Sequence, residues 1–185
     1  MKNDRLAFVD LEMTGLDPFR HEIIEIGIIL AKQKQGEDGR RTLELISEHN
    51  IQLIPLYIEH ADPKGLEVNK YHSRDWSLAV PQKDGLSHAA ELLDGTVFVA
   101  QNVALDWAFL HYAGDKVGIN FDKLVHYHKL DLASMAFGKL YHDPKLFKFS
   151  LREMTEYFHV VNQDAHTALA DARATFEVCK KLLAQ

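Results

Sequence analysis

The sequence contains one cysteine, Cys179, in 185 residues. That excludes an internal disulfide and a cysteine-rich zinc site. It suits a reducing compartment, and we read the protein as cytoplasmic. No run of about 18 apolar residues occurs, so a membrane-spanning helix is not expected. The opening residues Met1-Lys2-Asn3-Asp4-Arg5-Leu6 are polar and lead straight into a strand-like run. They lack the apolar stretch of a signal peptide. Basic charge is also short, with 21 Lys and Arg against 27 Asp and Glu, a net charge of −6. This argues against a broad basic face gripping long nucleic acid. It leaves room for an enzyme that holds a few nucleotides through metal ions, which supply the positive charge locally. Repeats, linkers and low-complexity segments are absent as well. Hydrophobic residues at 46% and charged residues at 26% are ordinary globular values, which excludes disorder and coiled coil. We therefore expect one domain over residues 1–185, with a core that needs no disulfide or structural metal.

The apolar patterning gives the elements. Leu6-Ala7-Phe8-Val9 is a short buried-strand run that ends in Asp10-Leu11-Glu12 and a turn at Thr14-Gly15-Leu16-Asp17-Pro18. Ile23 to Leu30 is rich in β-branched residues and reads as a second strand. A polar hairpin loop over Lys34–Gly39 leads to a third strand at about 42–53. Asp62-Pro63 predicts a helix start, with the helix running to about Tyr71. Residues 73–82 carry no clear pattern. A helix over about 83–93 precedes a buried strand at Thr96–Ala100, and apolar spacing predicts a helix over 104–113. Leu124–Leu130 reads as a fifth strand, followed by a helix capped by Asp131. Ser150-Leu151-Arg152-Glu153 has capping-box spacing. The last helix is predicted from about Thr167 to Leu183. The expected class is α/β, a five-stranded mixed sheet flanked by helices.

Six residues stand out chemically. Asp10 and Glu12 are two apart at a strand end, which puts both carboxylates on one face. They repel unless a cation lies between them, and hard divalent ions take such oxygen ligands. An Asp-x-Glu alone is common in any acidic chain. Asp106 falls in the first turn of a predicted helix, where an acid is also explained by the helix dipole. Asn102, at the strand end before it, is either a turn residue or a ligand-orienting one. His166 and Asp171 flank the start of the last helix. A histidine near a metal site can act as a general base. Singly, each feature has an ordinary structural explanation. Together they could converge beyond the carboxyl ends of the strands, where sites form in open α/β sheets. Four carboxylates and a histidine are the inventory for two-metal hydrolysis of a phosphodiester.

These segments resemble the DEDD exonuclease superfamily, histidine subtype. That family includes the proofreading subunit of bacterial DNA polymerase, ribonuclease T and oligoribonuclease. The first motif is Phe8-Val9-Asp10-Leu11-Glu12-Met13-Thr14-Gly15-Leu16-Asp17-Pro18 with Ile23-Ile24-Glu25-Ile26-Gly27. Its first part is most like oligoribonuclease. The second is Gln101-Asn102-Val103-Ala104-Leu105-Asp106-Trp107-Ala108-Phe109-Leu110, and the third is His166-Thr167-Ala168-Leu169-Ala170-Asp171-Ala172. The resemblance covers nearly the whole chain, with the motifs in family order and at family spacing. Gln101 departs from the pattern, since many relatives carry His before the Asn.

The resemblance implies a ribonuclease H-like fold and 3′→5′ removal of nucleoside 5′-monophosphates from single-stranded DNA or RNA. It implies two divalent ions, Mg²⁺ or Mn²⁺, held by Asp10, Glu12, Asp106 and Asp171, with His166 taking the proton of the attacking water. Met13, Thr14 and Gly15 should face the terminal 3′-hydroxyl. Leu16 is either a wedge against the last base or a buried turn leucine. Lys145-Leu146-Phe147-Lys148-Phe149 interleaves cations with aromatics as single-strand channels do. It can equally be Phe in the core and Lys in solvent. His126 and His128, on the expected fifth strand, read as exposed rather than metal-binding. Asp131 reads as a cap, Trp107 as core packing and Cys179 as a small buried hydrophobe. Alternatives are an oligoribonuclease-like enzyme trimming short RNA and a proofreading-type subunit that docks on a polymerase. The end at Gln185, close after the last helix, favours the stand-alone enzyme. A homodimer is compatible with the resemblance, and no membrane partner is expected.

Overall fold

In a computed structural model, residues 5–37 and 39–184 are described. The first four residues, Asp38 of the expected hairpin loop and Gln185 lie outside them. The strands are β1 (Arg5–Met13), β2 (Ile23–Gln35), β3 (Arg41–Ile54), β4 (Val80–Pro81), β5 (Val97–Ala100) and β6 (Leu130–Asp131). The helices are α1 (Pro63–Val68), α2 (Gln82–Leu93), α3 (Val103–Val117), α4 (Phe121–Leu124), α5 (Leu132–Leu140), α6 (Leu151–Phe158) and α7 (Ala168–Ala184). One mixed sheet has the order β4-β3-β2-β1-β5-β6. The β1–β2 and β2–β3 pairs are antiparallel, and the other pairs are parallel.

The sheet has six strands where five are expected from the sequence. The extra strand, β4, is two residues long and pairs Val80 and Pro81 with Leu53 and Ile54. Two residues carry no periodicity, so the pattern is silent there. The expected strand over Leu124–Leu130 is also corrected. Asn120 caps a helical turn by accepting from the Lys123 N–H, which makes 121–124 helical. His126 and His128 lie in the loop after it, their rings packed on one another and on Tyr127. Only Leu130 and Asp131 reach β5.

Strand alternation sorts the core onto two faces. Ala7, Val9 and Leu11 of β1 join Ile26, Ile28 and Leu30 of β2 on the face covered by α2, α3 and α4. Leu6 and Phe8 join Ile29 and Ala31 on the face covered by α5, α6 and α7. Phe8 meets Phe176 of α7 edge-on, with ring centroids 5.2 Å apart. Because side chains alternate along a strand, Asp10 and Glu12 continue the Leu6–Phe8 row. Glu25 and Gly27 likewise continue the Ile29–Ala31 row. All four residues therefore belong to the α7 face. No helix among the described residues is long and apolar enough to cross a membrane.

Candidate active site

The α7 face of the β1 end gathers the acids. Asp10, Glu12 and Asp171 each offer a carboxylate oxygen within 4.8 Å of the others. Burial pushes the Asp10 carboxyl well above the usual carboxylate range, and Asp106, Asp171, Glu12 and Glu25 add to the shift. Glu12 is pushed up to about 8, by burial first and then by Asp171 and Glu25, with the Arg74 guanidinium working the other way. Burial also pushes Asp106 up to about 7, against the pull of its hydrogen bond from the Leu11 N–H. Burial, and for Asp10 and Glu12 the neighbouring acids as well, favours the protonated forms. A divalent ion would displace those protons and relieve the repulsion. The donor set is oxygen only and carboxylate-rich, which fits a hard ion such as Mg²⁺ or Mn²⁺.

Asp106 stands beside this trio rather than in it. It is buried in the first turn of α3, and its Oδ1 accepts from the Leu11 N–H at 3.1 Å. Asp171 is held from two sides. Its Oδ1 accepts from Asn162 Nδ2 at 2.6 Å and its Oδ2 from the His166 N–H at 3.1 Å. His166 is exposed, just before α7, with a positive φ of 69°. Left-handed backbone is strained for a non-glycine residue and persists only where neighbours enforce it. Here the Asp171 carboxylate does so. One acid thus fixes the backbone of the histidine that precedes it.

The Met13–Leu16 turn is anchored by its surroundings. Thr14 is buried, and its hydroxyl accepts from the Glu22 N–H at 2.9 Å. Met13 O accepts from Asn69 Nδ2 at 3.0 Å, and Thr14 O from the Asp62 N–H at 2.7 Å. A Cβ on Gly15 would lie 2.5 Å from the His21 ring, so a larger residue there must displace that side chain. Leu16 is 72% exposed at the tip of this turn, which removes the buried-turn reading of that residue.

Asn102 is also exposed, with φ 58°, at the start of α3. It gives α3 no side-chain cap. Instead Asp131 Oδ2 accepts from the Val103 N–H at 2.9 Å, while Asp131 Oδ1 caps α5 through the Ser134 N–H at 2.7 Å. Gln101 donates to Phe149 O at 2.8 Å and ties the Lys145–Phe149 segment beside the second motif. In that segment Leu146 is buried, while Phe147 is 88% exposed along an open groove of about 860 Å³. Trp107 packs edge-on against Phe98 at 5.3 Å, and Cys179 is buried with its thiol pushed up to about 12.

Against this geometry the likeness to known proteins is informative. The family model described as exonuclease, RNase_T, matches residues 7–179. The chain belongs to this exonuclease family. A DNA polymerase III PolC-type from Caldanaerobacter subterraneus subsp. tengcongensis is 30% identical over 188 residues, covering 94% of this chain and 11% of that protein. The 3′-5′ exonuclease DinG of Bacillus subtilis is 25% identical over 187 residues, covering 98% of this chain and 18% of that protein. The chain thus spans a small fraction of these two relatives. The oligoribonuclease of Colwellia psychrerythraea is 27% identical over 183 residues, covering 96% of this chain and 93% of that protein. Among solved structures, the zinc-bound E. coli exonuclease I complex with single-stranded DNA superposes with a TM-score of 0.79 at 15% identity. That match covers 97% of this chain and 40% of that one, and shows the same fold.

Several residues of this exonuclease-family chain that touch the site escape motif reading. Asn162 precedes the third motif and holds Asp171. Glu25 lies within the quoted first motif with no role assigned to it, although an acid inside an apolar strand is a signal in itself. Its partner Arg74 lies in the stretch 73–82, where no pattern is legible.

Proposed function

We propose that the chain is a metal-dependent 3′→5′ exonuclease that hydrolyses single-stranded DNA or RNA and releases nucleoside 5′-monophosphates. The observation that carries this reading is the trio Asp10, Glu12 and Asp171, three carboxylates from β1 and α7 with ligand atoms within 4.8 Å. In this reading Asp10, Glu12 and Asp171 would hold one Mg²⁺ or Mn²⁺, and Asp10 with Asp106 would support a second. Bound there, divalent ions supply Lewis-acid stabilisation of charge on the scissile phosphate and lower the pKa of the attacking water. His166, exposed and pinned by its backbone to Asp171, takes the proton from that water. Asn162 orients Asp171 for its ligand role. Leu16, at the exposed tip of its turn, presses on the terminal base. Asn102 and the backbone of Met13–Gly15 line the 3′ end.

The alternative reading, an oligoribonuclease-like enzyme trimming short RNA, has one observation in its support. The oligoribonuclease relative matches this chain over almost the whole of both lengths, 96% and 93%. A matched assay separates the substrates. Single-stranded DNA, single-stranded RNA and a dinucleotide are offered at equal concentration with Mg²⁺, with Mn²⁺ and with chelator. We expect metal-dependent cleavage of all three. An oligoribonuclease-like enzyme prefers the dinucleotide. No cleavage of any substrate by folded, metal-loaded protein would leave the polymerase-docking reading in its place.

A further inference from the structure

We propose that the Glu25–Arg74 pair, Glu25 buried and Arg74 half-buried, is a positioning brace: Glu25 caps α7 from β2, Arg74 locks Glu25, and together they set how Asp171 and His166 meet Asp10 and Glu12. The proposal rests on the functional reading above and adds two residues to it.

Glu25 has no exposed surface and lies directly opposite Glu12 in the β1–β2 ladder. Yet it is not one of the three clustered metal-ligand candidates. Its two oxygens are taken up by protein donors. Oε1 accepts from Asn50 Nδ2 at 2.9 Å and from the Arg74 guanidinium. Oε2 accepts from the Ala168 N–H at 2.9 Å. Ala168 is the first residue of α7, so this N–H has no acceptor within its own helix. The neighbouring Thr167 hydroxyl donates to Asp164 O. The cap therefore comes from a strand 143 residues away, and a carboxylate is the right sign for the positive end of a helix dipole. Ala168 stands two residues after His166 and three before Asp171. Fixing its N–H fixes both.

Arg74 is held as firmly as its partner. Its guanidinium lies 4.8 Å over the Trp76 ring, and Trp76 Nε1 donates to Tyr71 O at 2.7 Å. Gln52 of β3 donates to Asp75 O at 3.0 Å and pins the same segment to the sheet. Arg74 Nη1 is buried and has no hydrogen-bond partner. A part-buried ion pair with an orphaned N–H is a poor stabilising device compared with apolar packing. What it supplies is registry. Three separate elements, β3, the 71–76 segment and α7, converge on one carboxylate beside the acid trio.

The test uses the full chain with Arg74→Met, Arg74→Lys and Glu25→Gln. Five quantities are measured: the unfolding midpoint, amide exchange at Ala168, Mn²⁺ affinity by calorimetry, and kcat and KM on a single-stranded oligonucleotide. Removing an outer partner of a metal site typically costs 10–100-fold in metal affinity or activity. In Arg74→Met we expect faster exchange at Ala168, Mn²⁺ binding weaker by about 10-fold and kcat lower by about 10–100-fold, with KM nearly unchanged. Arg74→Lys keeps the charge without the planar fork and recovers part of the loss. A folded Arg74→Met with wild-type exchange, Mn²⁺ affinity and kcat overturns the brace. If that variant does not fold, Arg74→Lys decides, and wild-type values there overturn it equally. A wild-type chain that cleaves nothing refutes the exonuclease reading, while exchange at Ala168 still reports on the brace.

Discussion

Glu12 titrates near 8 because burial, Asp171 and Glu25 all disfavour its charge. In the unfolded chain it returns to its ordinary value of 4.5. The folded state thus prefers the protonated form. In the metal-free protein, the stability linked to Glu12 is fully present below 4.5 and is lost as pH rises through 8. Asp10 and Asp106 shift in the same direction and steepen the loss. A divalent ion reverses the trend, since its ligands must be deprotonated and its affinity climbs over the same window. We expect the thermal midpoint in chelator to fall from about pH 5 to about pH 8 and to be flatter in Glu12→Gln. Saturating Mn²⁺ should raise the midpoint more at pH 8 than at pH 6. Equal slopes in the two proteins would show that Glu12 is not held in its neutral form.

At the scale of elements, the seat of α7 on β2 decides the geometry. A Cβ on Gly27 would lie 2.2 Å from the Ala168 carbonyl carbon and oxygen and 2.4 Å from Leu169 N. Backbone, not a movable side chain, fills the space, so the helix start must shift if anything larger is placed there. Gly27→Ala should destabilise the fold by about 1–3 kcal/mol in urea unfolding. It should also weaken Mn²⁺ binding, because Asp171 moves with the helix. Full stability would mean that the packing gives way more easily than these distances imply.

The same elements show what the sequence carries. Ile23–Leu30 is legible because a doubly covered strand is almost uniformly apolar. Asp62-Pro63, Ser150 and Asp131 mark helix starts because capping is local chemistry, and all three side chains accept the expected backbone N–H. The acids of the three motifs are legible in the same way, as residue types at fixed spacing. What stays hidden is long range. β4 exists only through two residues of β3, and α4 through a cap at Asn120. Arg74 reaches Glu25 across 49 residues from a stretch without periodicity. Asn162 is meaningful only once α7 has been docked.

The whole molecule places this site at the end of β1, between a sheet with two covered faces and the start of its last helix. Its net charge of −6 argues against a broad basic face for nucleic acid. In this account divalent ions held by Asp10, Glu12, Asp106 and Asp171 would offset the repulsion between phosphate and carboxylates, so binding and turnover would share one metal requirement. The most direct measurement is cleavage of a 5′-labelled single-stranded oligonucleotide by the wild type and by Asp10→Ala, each checked for cooperative unfolding, with Mg²⁺ or Mn²⁺ and with chelator. The account predicts a ladder shortening from the 3′ end, released as nucleoside 5′-monophosphates, only in wild type with metal. Cleavage that persists in folded Asp10→Ala or in chelator would contradict it.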